Sequence, residues 1–337
     1  MAGKGARATV AVIRVLRQLD IAACQRHALH GDGALWQEKN CYIDLWIELV
    51  HALGGDPHAM LGCALPIDFE GDQWTFFKPS HDLLRAGFGI DVQELTVWRP
   101  LLDHAVEHLG AGSLLSVEAD AFWLPDTAGT DYRTKHSKTT IVLAELDVVA
   151  RRLGYFHNAG CFTLQGDDFA RTFRLDDAAR PLVEPSHLPL FAERVRIDRR
   201  VLRPWPELRE LASADLRKQL AWRPTTNPLR RFGERFERDL PLLRERGLDH
   251  YHAWAFGTIR QLGAGFELVA RQLDWLEAAE LVPAARAFER IAVGAKTLIM
   301  KAARSVATGR AAACGELFDA MASDWDAGMA VLGEALG

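Results

Sequence analysis

The feature of this sequence that most constrains the fold is a change in its hydrophobic pattern near the middle of the chain. Before about residue 178, short apolar runs of strand length alternate with runs that have a helical period. After about residue 190 the pattern is helical almost throughout, most clearly over residues 249–277, 282–308 and 311–336. The second half is therefore predicted to be an α-helical bundle.

The first half carries the pattern of an antiparallel sheet. The β-branched and apolar runs that predict strands are residues 92–98, 114–120, 139–146, 153–157 and 162–164. A chain of 337 residues is also longer than one hydrophobic core usually organises. We therefore predict an α+β domain over residues 1–178, with a helix packed on an antiparallel sheet, and an all-α domain over residues 190–337. A proline-containing linker at residues 176–189 separates the two.

Composition and charge exclude several functional classes. The formal net charge is -5, so nucleic-acid binding by the whole chain is not expected. No apolar run is long enough to cross a membrane, and residues 1–20 lack the pattern of a signal peptide. The five cysteines are odd in number and contain no Cys-x-x-Cys pair. This pattern predicts a cytoplasmic protein with reduced thiols, no disulfide framework and no metal site.

Cys41 is the first candidate for chemistry. It opens a predicted helix whose apolar face follows the i, i+3, i+4, i+7 pattern and which stops at Gly54-Gly55. At the N-terminus of a helix, unpaired N–H groups and the helix dipole favour the thiolate, which is the nucleophilic form. The alternative is a small buried side chain, which is the usual state of a free cysteine.

His136 and Asn158 are predicted to complete a catalytic set. His136 lies where a polar loop enters a strand, and an imidazole is the usual general base near neutral pH. A third group must orient the imidazole, and Asn158 lies at the end of the next predicted strand, on the same face. A shift of one residue in the strand register would instead select His157.

Two further groups of residues are candidates for substrate binding. Asp131 and Tyr132 precede His136 and are predicted to line the same cleft. Asp68, Glu70, Asp72 and Trp74 form an acidic, aromatic loop that could bind an ammonium group. The alternative for this loop is a solvated turn.

Residues 190–246 contain more Lys and Arg than Asp and Glu, although the whole chain is acidic. The simpler interpretation is a solvated surface in which the charges pair with one another. The other interpretation is a docking face for an acidic protein.

Four runs of this sequence resemble a known family: NCYIDLWIELVHALG, DFEGDQWTFFKP, EADAFWLPDTAGTDYRTKHSKTTI and GYFHNAG. They are similar to a bacterial family of proteins, domain-of-unknown-function family eighteen thirty-nine, over nearly the whole chain. Residues 40–160 are more distantly similar to the N-terminal domain of the butirosin-pathway acyltransferase and to the papain-like cysteine fold. That distant similarity rests on Cys41, on the run ending at His136 and on the strand after it.

The resemblance implies an aminoacyl transfer from a carrier-protein thioester to an amine. It implies no bound cofactor, because the phosphopantetheine arm of the partner carrier protein would bring the acyl group. Papain-like enzymes usually place an oxyanion-hole Gln some six residues before the Cys, whereas Gln37 here lies four before it. Either Gln37 or Asn40 is therefore a candidate for the second oxyanion donor.

Three functions remain as hypotheses. The first is an acyl or aminoacyl transferase in which Cys41 attacks the thioester and His136, oriented by Asn158, moves the proton. Its partners would be an acyl or aminoacyl carrier protein and a small-molecule amine, without nucleic acid or membrane. The second is a cysteine hydrolase (a peptidase, amidase or thioesterase) with the same residues. The third is a non-catalytic protein that binds the carrier protein.

Overall fold

The computed structural model describes residues 12–175, 191–311 and 313–337, which form two compact units. The sheet unit comprises residues 12–27, 44–54, 88–175 and 191–201, and the helical unit comprises the other described residues. The predicted linker, residues 176–189, lies outside the described residues. The domain boundaries predicted at residues 178 and 190 stay predictions.

The helices and strands of the described ranges follow in chain order. The helices are α1 Cys41–Ala52, α2 His81–Phe88, α3 Leu101–Gly110, α4 Asp167–Thr172, α5 Trp205–Ala221, α6 Pro228–Gly257, α7 Ile259–Trp275, α8 Val282–Thr308 and α9 Gly315–Leu336. The strands are β1 Ile13–Arg14, β2 Phe69–Glu70, β3 Gln73–Trp74, β4 Ile90–Leu95, β5 Leu114–Asp120, β6 Lys138–Asp147, β7 Arg152–His157, β8 Gly160–Gln165 and β9 Ala192–Ile197. Short 3₁₀ turns include Ile21–Ala23, Pro57–Ala64, Ala121–Trp123 and Pro125–Thr127.

The sheet unit is built on an antiparallel sheet with the strand order β4-β9-β5-β6-β7-β8, and β1 also pairs with β6. Alternate residues of each strand point to one face. On one face, Val117, Ile141 and Tyr155 form an apolar core with Ala105 of α3 and Phe169 of α4. An α+β fold with a helix packed on an antiparallel sheet is therefore confirmed.

Strand β9 was not predicted, because the chain beyond residue 190 was expected to be helical. Ala192–Ile197 pairs with both β4 and β5 and so occupies a position inside the sheet. The last four residues of β9 alternate charged and apolar side chains, with Val195 and Ile197 separated by Arg196. That alternation is the period-two signal of a strand, but it is too short to outweigh the helical pattern that follows it.

The expectation that all cysteines are reduced is wrong for two of the five. Cys24, just after the 3₁₀ turn Ile21–Ala23, is bonded to Cys161 of β8, with 5.9 Å between the Cα atoms. The two residues are separated by 137 positions in the chain. The fold brings these two cysteines together, although no sequence motif links them. The absence of a Cys-x-x-Cys motif therefore did not exclude this disulfide.

The helical unit is all-helical after β9, as predicted for the C-terminal half. Its helices approach closely at small residues: Gly263 of α7 faces the Trp36 ring, and Gly328 of α9 faces the Phe288 ring of α8. A Cβ at either glycine would lie within 2.6 Å of the facing ring, which is closer than atoms can pack. None of the helices in the described ranges combines the length and the apolarity that crossing a membrane requires.

The predicted helix over residues 249–277 is two helices. α6 runs to Gly257, α7 starts at Ile259, and Thr258 between them has φ -117° and ψ -81°. Within α6, Gly247 has φ 79° and ψ -173°, a conformation open to glycine that bends the helix. The helical period of apolar residues continues across these breaks. The sequence pattern therefore predicted one helix where the structure has two.

The basic segment forms much of α5 and α6, and many of its charges are paired on α6. Arg230 contacts Asp326, Arg231 contacts Asp68, and Arg235 bonds to Asp239 at 2.7 Å. The interpretation of a salt-bridged surface therefore describes this stretch of α6. The docking face for an acidic protein stays a prediction.

Asp56 caps the 3₁₀ turn Pro57–Ala64 and forms a small polar cluster in the helical unit. Its carboxylate accepts the His58 backbone N–H at 3.1 Å, contacts the His58 ring at 2.7 Å and accepts the Trp275 indole N–H at 2.7 Å. Burial raises the pKa of Asp56, but the bonds with His58 and Trp275 outweigh it and lower the pKa to about 2. Asp56 is therefore more acidic in the folded chain than in the unfolded one.

We expect Asp56→Ala to lower the free energy of unfolding at pH 7 by about 1 kcal/mol, a value that allows for solvent screening of a half-exposed group. Because the pKa is lowered on folding, this stabilisation is fully present above the unfolded pKa of 3.8 and is lost as the pH falls through about 2. Urea denaturation at pH 7 and pH 2.5 measures the change.

Asp56→Asn is the matched control, because the amide oxygen keeps the cap without the charge. The difference in stability between the wild type and Asp56→Asn should shrink between pH 4 and pH 2. A difference that is the same at both ends of this range would contradict the assigned charge contribution.

Candidate functional site

His136 is held by a carboxylate at one end of the sheet. Asp120 is the last residue of β5, and His136 lies two residues before β6, which pairs with β5 in the register Asp120 to Lys138. This register brings the two side chains together, with 2.6 Å between His136 Nδ1 and Asp120 Oδ2. The Phe122 ring stacks on the imidazole at 4.2 Å, with 10° between the planes.

Asp120 is fixed in place by backbone groups. Its Oδ1 accepts the backbone N–H of Phe122 at 3.1 Å and that of Ser137 at 3.3 Å. The first bond caps the 3₁₀ turn Ala121–Trp123, a role for which aspartate is well suited. The second ties the carboxylate to the residue after His136. Both oxygens of Asp120 are therefore used to position the loop and its histidine.

This arrangement leaves one ring nitrogen of His136 available. A carboxylate at Nδ1 favours the tautomer with a proton on Nδ1, so Nε2 carries the lone pair. The His136 side chain is 68% exposed, whereas that of Asp120 is 24% exposed. The pair has the form of an oriented general base at a surface that a substrate can reach.

The residue that contacts His136 Nδ1 in the structure is Asp120, and not Asn158 as predicted. Asn158 lies in the tight turn between β7 and β8, where its φ is 42°. The predicted contact between His136 and Asn158 assumed that His136 lies within a strand that pairs with β7. The structure begins β6 at Lys138, and the register of β6 with β7 shifts between Leu143 and Glu145.

His157, the alternative to Asn158, belongs to a different, buried network. Its Nδ1 is 2.5 Å from Asp126 Oδ2, and its Nε2 is 2.7 Å from the Thr139 hydroxyl. Tyr155 donates its hydroxyl to the other oxygen of Asp126, and burial raises the pKa of this phenol. The His157 and Asp126 side chains are 1% and 3% exposed. This network fastens the loop that follows β5 to strand β7.

Asp131 and Tyr132 lie in the same loop as His136 and have defined partners. Asp131 accepts the Ser137 hydroxyl at 2.6 Å, and Tyr132 donates to Asp168 of α4 at 3.0 Å. Arg133, at φ 57°, also contacts Asp168 and lies over the Trp123 ring at 4.5 Å. These contacts hold the loop against α4, so its residues form an ordered surface around His136.

Cys41 is the first residue of α1, as predicted, and the residue before it caps the helix. Asn40 Oδ1 accepts the backbone N–H groups of Tyr42 at 3.1 Å and of Ile43 at 2.9 Å. Its amide nitrogen donates to the Phe77 carbonyl at 3.2 Å, and the side chain is buried. The cap leaves the N–H of Cys41 itself outside these bonds.

Cys41 is the one accessible free thiol among the five cysteines, all of which lie in the described ranges. Cys24 and Cys161 are bonded, while Cys63 and Cys314 are free but only 5% and 3% exposed. Burial, followed by the charge of Asp215, raises the pKa of Cys63. Cys41 is free and partly exposed. Among the free thiols, Cys41 is therefore the one placed to act as a nucleophile.

The two candidate oxyanion donors differ in their surroundings. Gln37 is exposed, four residues before Cys41. Asn40 is buried, and its amide group is used for the helix cap and the Phe77 carbonyl. The structure therefore gives Asn40 a capping role, and Gln37 stays the candidate.

The acidic loop forms the hairpin β2–β3 in the helical unit. Asp68 pairs with Arg231 of α6, and Arg235 donates to the Gly71 carbonyl at 3.0 Å. Trp74 is 3% exposed and packs against the Phe232 ring at 5.7 Å. Glu70 and Asp72 are exposed. Asp68 and Trp74 thus have structural roles, and only Glu70 and Asp72 of the four predicted residues present free carboxylates to solvent.

Sequence reasoning missed Asp120 and Phe122 as partners of His136. The signal was present in the run Asp120-Ala121-Phe122, where an aspartate ends a strand and begins a turn. Such an aspartate caps the turn and faces the start of the next antiparallel strand. Following that geometry would have led from His136 to Asp120.

Comparison with known families gives one result that covers both halves of the chain. The model of the DUF1839 N-terminal domain matches residues 25–197, and that of the DUF1839 C-terminal domain matches residues 206–334. A search of curated proteins found no match. The comparisons give no support to the predicted relation with the butirosin-pathway acyltransferase or with the papain-like fold.

Proposed function

This chain belongs to the DUF1839 family, and on that premise we propose that it is a cysteine-dependent acyltransferase. The observation that carries the proposal is the pair of Asp120 and His136, which has the geometry of an oriented general base. Cys41, the accessible free thiol at the start of α1, is the proposed nucleophile. Its assignment to the same reaction as His136 rests on the order of the residues in the sequence and on the resemblance described above.

The proposed reaction has two steps that balance. The Cys41 sulfur attacks the carbonyl carbon of a thioester, the carbon–sulfur bond to the donor breaks, and the donor leaves as a thiol. An amine then attacks the new thioester on Cys41, an amide bond forms, and the Cys41 thiol is released. His136 takes the proton of Cys41 in the first step and that of the amine in the second. The first step exchanges one thioester for another, so orientation and exclusion of water contribute most.

The proposed donor is an acyl or aminoacyl carrier protein, and the acceptor is a small-molecule amine. The phosphopantetheine arm of the carrier protein would act as a substrate arm rather than as a resident cofactor. Glu70 and Asp72 are proposed to attract an ammonium group, since their carboxylates are exposed. We propose a cytoplasmic location, where carrier-protein thioesters are made and used.

The experiment is to incubate the protein with an aminoacyl-loaded carrier protein and to measure its intact mass with and without an added amine. An acyl adduct that persists until the amine is added supports the transferase. An adduct that disappears in water alone indicates a hydrolase. A protein that binds the carrier protein but never gains mass is non-catalytic, and the proposal is then wrong.

Asp120→Asn is expected to slow acyl transfer by roughly 100- to 1,000-fold, because the amide no longer favours the productive tautomer of His136. The rate of amide product formation at saturating donor measures the loss. Glu118→Gln is the matched control, because Glu118 lies on the same strand and its carboxylate pairs with Lys138 at 2.8 Å. Equal rates for Asp120→Asn and Glu118→Gln would remove Asp120 from the mechanism.

A further inference from the structure

The bond between Cys24 and Cys161 connects the segment of residues 21–27 to strand β8 of the sheet unit. Cys161 lies on β8, at the edge of the sheet, and Cys24 lies in the segment of residues 21–27. Both cysteines are partly exposed, so a small thiol can reach the bond from solvent. This pair therefore differs from Cys63 and Cys314, which are buried.

The segment of residues 21–27 contacts the sheet unit on both sides of Cys24. Ile21 packs where Gly154 of β7 leaves room, since a Cβ on Gly154 would lie 3.3 Å from the Ile21 side chain. At the other end, the His27 backbone N–H donates to both oxygens of Glu48 of α1, at 3.0 Å and 3.2 Å. Cys24 lies between these contacts, and the residues next to it, Ala23 and Gln25, are exposed.

The contact at Glu48 links the segment to the helix that begins with Cys41. Glu48 is fully buried and lies two turns after Cys41 in α1. A buried carboxylate that loses its hydrogen-bond donors is costly, so the position of His27 matters to α1. The bond at Cys24 restrains the chain three residues before His27.

We propose that Cys24 and Cys161 form a thiol–disulfide exchange site that controls the order of residues 21–27. The co-reactant is a low-molecular-weight disulfide such as oxidised glutathione. One thiolate attacks it and releases one glutathione thiol, and the second cysteine then displaces the other, so that one protein disulfide forms and two glutathione thiols are released. Two electrons pass from the protein to the glutathione disulfide. In a reducing cytoplasm such a bond forms transiently and reports the redox state.

The test places the wild-type protein in glutathione buffers of different ratio and uses two readouts. Alkylation followed by peptide mapping measures the fraction with Cys24 linked to Cys161. Limited trypsin digestion measures the rate of cleavage after Arg26, within the controlled segment. We expect the linked fraction to follow the buffer ratio, and cleavage after Arg26 to become roughly tenfold faster on reduction, because the segment opens locally.

Three variants make the result specific. Cys24→Ser and Cys161→Ser should each be cleaved at the fast rate in both buffers. Cys41→Ser should keep the redox dependence of the wild type even though it cannot transfer an acyl group, so failure of the proposed function does not affect this test. A bond to another cysteine, no linkage in oxidising buffer, or a cleavage rate that ignores the buffer in the wild type would overturn the proposal.

Discussion

With the bond between Cys24 and Cys161 formed, replacing Cys41 with alanine is expected to slow acyl transfer by about 1,000-fold or more, because the remaining free thiols are buried. Cys63 and Cys314 are buried, and Cys24 is bonded to Cys161. The fold should tolerate the change, because the helix cap comes from Asn40 and alanine favours a helix. The measurement is the rate of amide formation from an aminoacyl-loaded carrier protein, together with the intact mass of the enzyme.

A labelling experiment tests the same assignment without a substrate. Iodoacetamide added to the native protein should modify Cys41, while Cys63 and Cys314 react only after denaturation. Cys41→Ser is the conservative variant, since a hydroxyl at the same position keeps the shape and lacks the nucleophilic thiolate. An alanine variant with the full rate of the wild type would end the proposal that the chemistry is thiol-based.

Asp126→Ala is expected to cost about 3 kcal/mol in the free energy of unfolding, because it removes the shared acceptor of a buried hydrogen-bond network and leaves its partners unpaired. His157 and Tyr155 would both lose their carboxylate partner inside the sheet unit. The neighbouring pair gives the comparison: Asp120→Ala removes the partner of a largely exposed histidine and the cap of a 3₁₀ turn, and it should cost about 1–2 kcal/mol.

Chemical denaturation of the two variants and the wild type, followed through the unfolding of the sheet unit, measures the two costs. The comparison is informative because both pairs join a histidine to an aspartate in the same unit and differ strongly in burial. Asp120 in addition accepts two backbone N–H groups, and Asp126 in addition accepts the Tyr155 hydroxyl. Similar losses of stability for Asp126→Ala and Asp120→Ala would show that burial does not set the value of these pairs. Asp120→Ala should instead lose activity, which separates the two roles.

The ends of many elements could be read from the sequence, because they depend on local chemistry. The strand predicted over residues 114–120 is β5 as the structure has it, and the helix predicted over residues 282–308 is α8. The helix that was predicted to open at Asn40-Cys41 does so, with Asn40 as its cap. Helix caps, prolines and the two hydrophobic periods act over a few residues, so a single sequence contains them.

Some elements were missed because their signal is weak without a partner. β9 has six residues, and its place inside the sheet comes from pairing with β4 and β5. Asp120, which ends β5, and the 3₁₀ turn after it gave a local signal that was not followed. Hydrophobic periodicity indicates which face of a segment can be buried, but it does not identify the element that packs against that face.

The sequence by itself determined the α+β character of the first half, the helical second half and the helix that begins at Cys41. Only the tertiary structure decided that Asp120 faces His136, that His157 joins Asp126 and that Cys24 meets Cys161. The physical reason is that each of these pairs depends on strand register and loop path. A shift of one residue, such as the one in β6 between Leu143 and Glu145, changes which side chains meet while leaving the local pattern unaltered.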